Sequence, residues 1–186
     1  VEVRFFETEP AFFDYLTTRI RSVHSTIKYT SLGPSPDKVS PAGEKFYKAR
    51  ARVIASGKIR FNYLTMFNNL VRLERVEREL EELAGKQYFV GYFDFPLSIP
   101  MVSFIVIDDE ELIIGGHRAL YAPSEGTASV LIRHRAAAML FSDYFDLLWR
   151  HSIKLNERRI RRDLLDALKK KIAATEQSST PRMNDG

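Results

Sequence analysis

At 186 residues, with 45% hydrophobic and 28% charged side chains, the chain has the size of one folded domain and lies outside the disordered class. It contains no cysteine, which excludes a disulfide framework, a thiolate metal site and cysteine nucleophile chemistry, and is compatible with a cytoplasmic location. The net charge of +4 is local: between Arg150 and Ile172 nine Lys and Arg face three carboxylates, a net +6 that leaves −2 for the rest.

No apolar run reaches the roughly 18 residues of a membrane span and no signal-peptide pattern opens the chain, so a soluble protein is expected. The first residue is Val1 and not Met, which leaves room for an upstream domain. Val1 to Phe6 alternates as a first strand. Thr8 then caps a helix with Pro10 in its first turn, and Phe13, Leu16, Ile20 and Val23 carry that helix to Ser25. Thr26 to Leu32 is the next strand. Gly33 to Gly43, rich in Pro, Gly and Ser, is denied regular structure and forms either a ligand-facing rim or a mobile loop.

Glu44 to Ser56 is a second helix closed by Gly57, and Lys58 to Met66 a third strand. Asn68 or Asn69 caps a helix with Leu70, Leu73, Val76, Leu80 and Leu83 on one stripe and its charges on a solvated face. Tyr88 to Phe93 reads as a strand, followed by a connection containing Pro96 and Pro100. Val102 to Ile107 is a buried strand, Asp108 to Glu111 a type I turn, and Leu112 to Ile114 a strand ending on Gly115-Gly116. After a polar loop, Ala128 to Ile132 is a strand and Arg135 to Ile153 a helix. A basic helix from Lys154 to Ala174 has Ile160, Leu164, Leu168 and Ile172 on one side, a stripe that docks on its own domain or on a second copy. Thr175 to Gly186 is a polar, disordered tail.

Alternating strands and helices predict an α/β layered sandwich with a mixed, mostly parallel central sheet flanked by helices. The division expected is an α/β domain over 1–153, the basic helix over 154–174 and the tail over 175–186.

The stretch Ile99 to Ala119 resembles the motif of the phospholipase D-like superfamily, in which a His, a Lys two residues later and an Asp five beyond are followed by a Gly-Ser pair and an Asn. With Asp108 as the acid, Gly115-Gly116 falls at the Gly-Ser position. Met101 then takes the place of the His, Ser103 of the Lys, Gly116 of the Ser and Ala119 of the Asn. The likeness extends loosely over Val1 to Trp149 and implies one half of a two-fold phospholipase D-like pair. In catalytic members the His forms a phosphohistidine and the Lys stabilises developing charge. Methionine and serine do neither.

The resemblance therefore implies a non-catalytic sensing, ligand-binding or interaction module of a regulatory protein, active as a homodimer. Its vestigial cleft would hold a small polar or anionic ligand at Ser103, Asp108, His117, Gly115 and Gly116, with no cofactor. A second reading is nucleic-acid binding through Arg158, Arg159, Arg161, Arg162, Lys169, Lys170 and Lys171, though no helix-turn-helix accompanies them. A third is a phosphodiesterase with rearranged residues, His117 replacing the lost nucleophile. His24, His134 and His151 lack metal-ligand spacing, and Asp108 to Glu111 lacks the pattern of an EF-hand.

Overall fold

Local capping sets the helix boundaries. In a computed structural model that describes residues 1–33, 39–94, 102–117 and 127–179, β1 (Glu2–Phe6) leads to α1 (Glu9–Arg19). The Thr8 hydroxyl accepts from the Ala11 N–H at 3.4 Å to start that helix. It tightens into a 3-10 turn at Ile20–Ser22 and ends before Ser25, because Val23 is already extended for entry into β2 (Thr26–Ser31). The next helix, α2 (Pro41–Ala55), begins earlier than the apolar spacing indicates: Ser40 accepts from the Gly43 N–H at 3.1 Å, and Pro41 is tolerated in the first turn. Residues 34–38 of the Pro/Gly-rich loop lie outside the described residues, as do Pro96, Pro100, Met101 and Ala119.

There follow β3 (Arg60–Met66), α3 (Leu70–Glu82) capped by Asn69, and β4 (Tyr88–Phe93). The remaining elements are β5 (Ser103–Ile107), β6 (Glu111–His117), β7 (Thr127–Arg133), α4 (Arg135–His151), β8 (Ile153–Lys154) and α5 (Arg162–Ser179). The C-terminal segment differs from expectation. Lys154 does not open a helix; it pairs with Gly91 in an antiparallel bridge to β4. Asn156 continues that edge, accepting from the Val90 N–H at 2.8 Å and donating to the Tyr88 carbonyl at 2.6 Å. The helix therefore starts only at Arg162, and it runs past Ala174 to Ser179 where a disordered tail is expected. Residues 180–186 lie outside the described residues.

The strands form one eight-stranded sheet in the order β1-β7-β6-β5-β2-β3-β4-β8. It is mixed, as expected, but the parallel share is smaller: among the described residues only β2 with β3 and β3 with β4 run parallel, and the other pairings are antiparallel. The tight turn between β5 and β6 contributes to this, since parallel neighbours need a long crossover.

Helices α1, α2, α3 and α5 cover one face, where Phe61, Tyr63, Ile105, Ile113 and Leu131 meet Leu16, Phe46, Leu73 and Val76. The other face is covered by α4, with Phe145 and Ala138 against Phe104, Val106 and Leu112. Burial of each such large side chain contributes about 1.5–3 kcal/mol. The apolar stripe of α5 docks on its own domain, with Leu165, Leu168 and Ile172 buried in the first of these clusters.

Candidate functional site

The sheet changes character at β2, which is parallel to β3 on one side and antiparallel to β5 on the other. The β2–β5 register ends at Tyr29 opposite Ile105. Beyond that pair, side chains replace the ladder: the Phe104 N–H donates to the Thr30 hydroxyl at 2.6 Å, and the Leu32 N–H donates to the Ser103 hydroxyl at 3.0 Å. A crevice outside the carboxyl ends of strands is where open α/β sheets receive ligands.

A cavity of about 130 Å³ lies there, between the sheet and α1, α2 and α3. Its floor is a row set by strand register, Ser103 opposite Gly115 and Gly115 opposite Ser129, with Ile105 and Ile113 on the next row of the same face. Glycine at the centre keeps this floor low, because a Cβ on Gly115 would stand 3.3 Å from the Ser129 hydroxyl. Phe12, Phe13, Tyr29 and Tyr47 form an aromatic wall, and Val39 and Ser40 close one side. Burial pushes the phenols of Tyr29 and Tyr47 above their ordinary range, so both remain neutral.

Charge enters this cavity from Arg72, Arg75 and Glu9. Glu9 is engaged by the Ser40 hydroxyl at 2.5 Å. Arg72 is buried and donates from Nη1 to the carbonyls of Ser31, Gly33 and Met66 at 3.2, 2.9 and 2.8 Å, which fixes the ends of β2 and β3. The Arg75 guanidinium stacks on Tyr47 at 4.1 Å, and its Nε is buried with no hydrogen-bond partner among the described residues. Such an unmatched donor costs about 1–3 kcal/mol.

The nearest candidate counter-charge is already committed. Glu79, on the same helix, pairs with buried Arg50 and accepts from the Tyr88 hydroxyl at 2.6 Å. Burial, reinforced by the Glu79 carboxylate, holds the Tyr88 phenol well above its ordinary range. The charges of α3 are thus not all solvated, as the sequence suggests: Arg72 and Glu79 are buried, because this helix shows the core a polar stripe beside its apolar one.

The residues expected to form the cleft separate into two groups. Ser103 and Gly115 line the cavity; Asp108 does not. Asp108 sits at the opposite end of β5, in a turn whose two central residues, Asp108 and Asp109, have φ of 54° and 55°, with the Glu110 N–H bonded to the Ile107 carbonyl at 3.0 Å. These left-handed values fit a type I′ turn, with Glu110 as a third loop residue before Glu111 pairs with Ile107, and correct the type I assignment. The Asp108 carboxylate accepts from the N–H groups of His24, Ser25 and Thr26 at 3.0, 2.8 and 3.1 Å. Burial opposes its ionisation, but these donors and the Ser25 hydroxyl outweigh it and hold the carboxyl below its usual range. Asp108 is a clamp on the start of β2. Backbone pairing places Gly116 opposite Ala128 and His117 opposite Thr127 at the cavity end of β6.

Among the described residues, no three His, Asp or Glu side chains converge to hold a metal. His134 caps α4, its Nδ1 accepting from the Ala137 N–H at 3.4 Å. The basic surface is partly neutralised. Arg161 pairs with Asp163 at 2.6 Å, Arg162 with Glu81 at 2.6 Å, Lys169 with Glu77 at 2.7 Å, and Lys171 with Asp94. Arg158, Arg159 and Lys170 are exposed and make no ion pair among the described residues. No described helix is long and apolar enough to cross a membrane.

No family model and no curated protein matches this chain. Solved structures do. Nuc from Salmonella typhimurium, a phospholipase D family member, is similar with a TM-score of 0.59 and 14% identity, over 82% of this chain and 97% of that one. NucT from Helicobacter pylori gives 0.58 and 10%, over 82% and 98%. TrmBL2, an archaeal chromatin protein with a novel mode of DNA binding, gives 0.60 and 14% over 83% of this chain, which spans 53% of its length. The fold is phospholipase D-like.

Proposed function

We propose that this phospholipase D-like fold works as a non-catalytic ligand-sensing module of a regulatory protein, and that the cavity beside β2 and β5 is its binding site. One observation carries the reading. At the position where the family motif places its lysine stands Ser103, whose hydroxyl is taken by the Leu32 N–H, while the adjoining cavity is open, largely apolar and supplied with two arginines. Concave, mostly apolar pockets with a few convergent polar groups are ligand sites more readily than surfaces. Without a cation at Ser103, charge developing on a phosphodiester has no partner at the motif.

The residues that would contact ligand are Ser103, Gly115, Ser129 and Arg75, with Arg72 holding the wall through backbone carbonyls and Gly116 and His117 at the adjoining end of β6. Self-association across this end of the sheet belongs to the same reading, by analogy with two-fold pairing in the superfamily.

The test is a thermal-shift screen of small metabolites on the wild type and on Gly115→Val, whose branched side chain fills the floor. A ligand that raises the wild-type midpoint and leaves the variant unmoved supports the site. Absence of any binder, or equal shifts in a folded variant, contradicts it.

The DNA binding described for TrmBL2 keeps nucleic acid as an alternative for this chain. It ranks second because phosphate contacts by Arg161, Arg162, Lys169 or Lys171 would first have to displace carboxylates.

A further inference from the structure

Granting the ligand-binding reading, on which this step rests, we infer that the cavity takes a small organic anion with a planar apolar body, its carboxylate or phosphate bound by Arg75. Size sets the first limit. A water occupies about 10–15 Å³ of such space, so a cavity of about 130 Å³ holds a ligand of roughly ten non-hydrogen atoms.

Charge sets the second. Of the three charged residues at the wall, Glu9 is held by Ser40 and Arg72 is fixed by three backbone carbonyls through its Nη1, although its Nε too is buried without a partner among the described residues; the guanidinium not anchored to the backbone is that of Arg75. Its nearest acid on α3, Glu79, is held by Arg50 and Tyr88. Stacking on Tyr47 occupies a face of the guanidinium and leaves its edge, where the N–H donors lie, for a planar or tetrahedral anion. Its Nε is a buried donor without a partner among the described residues.

Shape sets the third. Phe13 and Tyr47, with ring centroids 6.1 Å apart, form an apolar wall above Ile105 and Ile113. A flat ring fills this space without leaving polar atoms unpaired, whereas a polyhydroxylated ligand would bury hydroxyls against it.

Isothermal titration of the full chain with benzoate, phenyl phosphate, neutral benzamide and inorganic phosphate distinguishes the outcomes. The expected result is saturable binding of benzoate or phenyl phosphate, with benzamide weaker by about tenfold or more, since a charge-assisted hydrogen bond is lost. Arg75→Gln removes the preference for the anion, Arg75→Lys restores part of it, and Arg158→Gln leaves it intact. Benzamide binding as tightly as benzoate, or anion binding undiminished in Arg75→Gln, overturns the anion assignment; if Gly115→Val still abolishes that binding, the site itself stands. Inorganic phosphate binding that survives Gly115→Val marks a surface site and overturns the assignment. No binding by any probe overturns it as well, and if the metabolite screen is also empty, the ligand-binding reading falls with it.

Discussion

Ser103 and Asp108 stand at opposite ends of β5, about 17 Å apart at the rise of an antiparallel strand. One lines the cavity; the other fastens the hairpin tip to the chain entering β2. The two positions of one motif therefore have separable consequences, one for binding and one for stability.

Replacing Asp108 by Ala removes a carboxylate that accepts three backbone N–H bonds. Urea denaturation should show a loss of about 1.5–3 kcal/mol. Affinity for a cavity ligand should not change, because the site is at the far end of the strand.

The same residue makes stability depend on pH. Its folded-state pKa lies below the ordinary carboxyl value, so the unfolded chain binds the proton more readily. The contribution is complete above about pH 4, the unfolded value, and is lost as pH falls through the lower folded value. Asp108→Asn should flatten this part of the acid limb in denaturation midpoints measured between about pH 2 and 5.

Asp109→Gly should stabilise the protein. Asp109 has φ of 55° and a buried Oδ1 without a partner among the described residues, and Asp-Gly is a favoured pair for a type I′ turn. Relief of the left-handed strain predicts a gain of about 1 kcal/mol, read as a higher thermal midpoint.

Glu79→Ala leaves Arg50 buried and uncompensated. The expected cost is about 3–5 kcal/mol in chemical denaturation, the scale for breaking a buried pair from one side. Preserved stability would show that Arg50 finds another partner.

The layered fold was legible because its signals are local. Alternation in Phe61 to Met66, helical spacing in Leu73, Val76 and Leu80, and the apolar run Phe104 to Ile107 all follow from which face each side chain buries. Strand direction was less legible, since the antiparallel pairings of β1 with β7 and of β2 with β5 join strands remote in sequence. The site was half legible: Ser103 and Gly115 fall where the motif outline leads, but Arg72 and Arg75 resemble ordinary helix-surface charges. Their spacing from Glu79, at seven and four residues beside the apolar stripe, was the available sign that this face turns inward. Asp108 was misplaced because a motif gives spacing along the chain, whereas a strand carries its two ends to opposite edges of the sheet.

Catalytic silence is checked directly by incubation with bis(p-nitrophenyl) phosphate. The proposed role predicts no turnover above buffer. Hydrolysis that disappears in His117→Ala would replace the sensing role with a rearranged phosphodiesterase.

The most direct measurement is a ¹H–¹⁵N chemical-shift titration of the intact chain with phenyl phosphate. The account predicts saturable shifts at Ser103, Gly115, Ser129 and the Arg75 side chain, with the Asp108 turn unmoved. Shifts confined to Arg158, Arg159 and Lys170, or none at all, would contradict it.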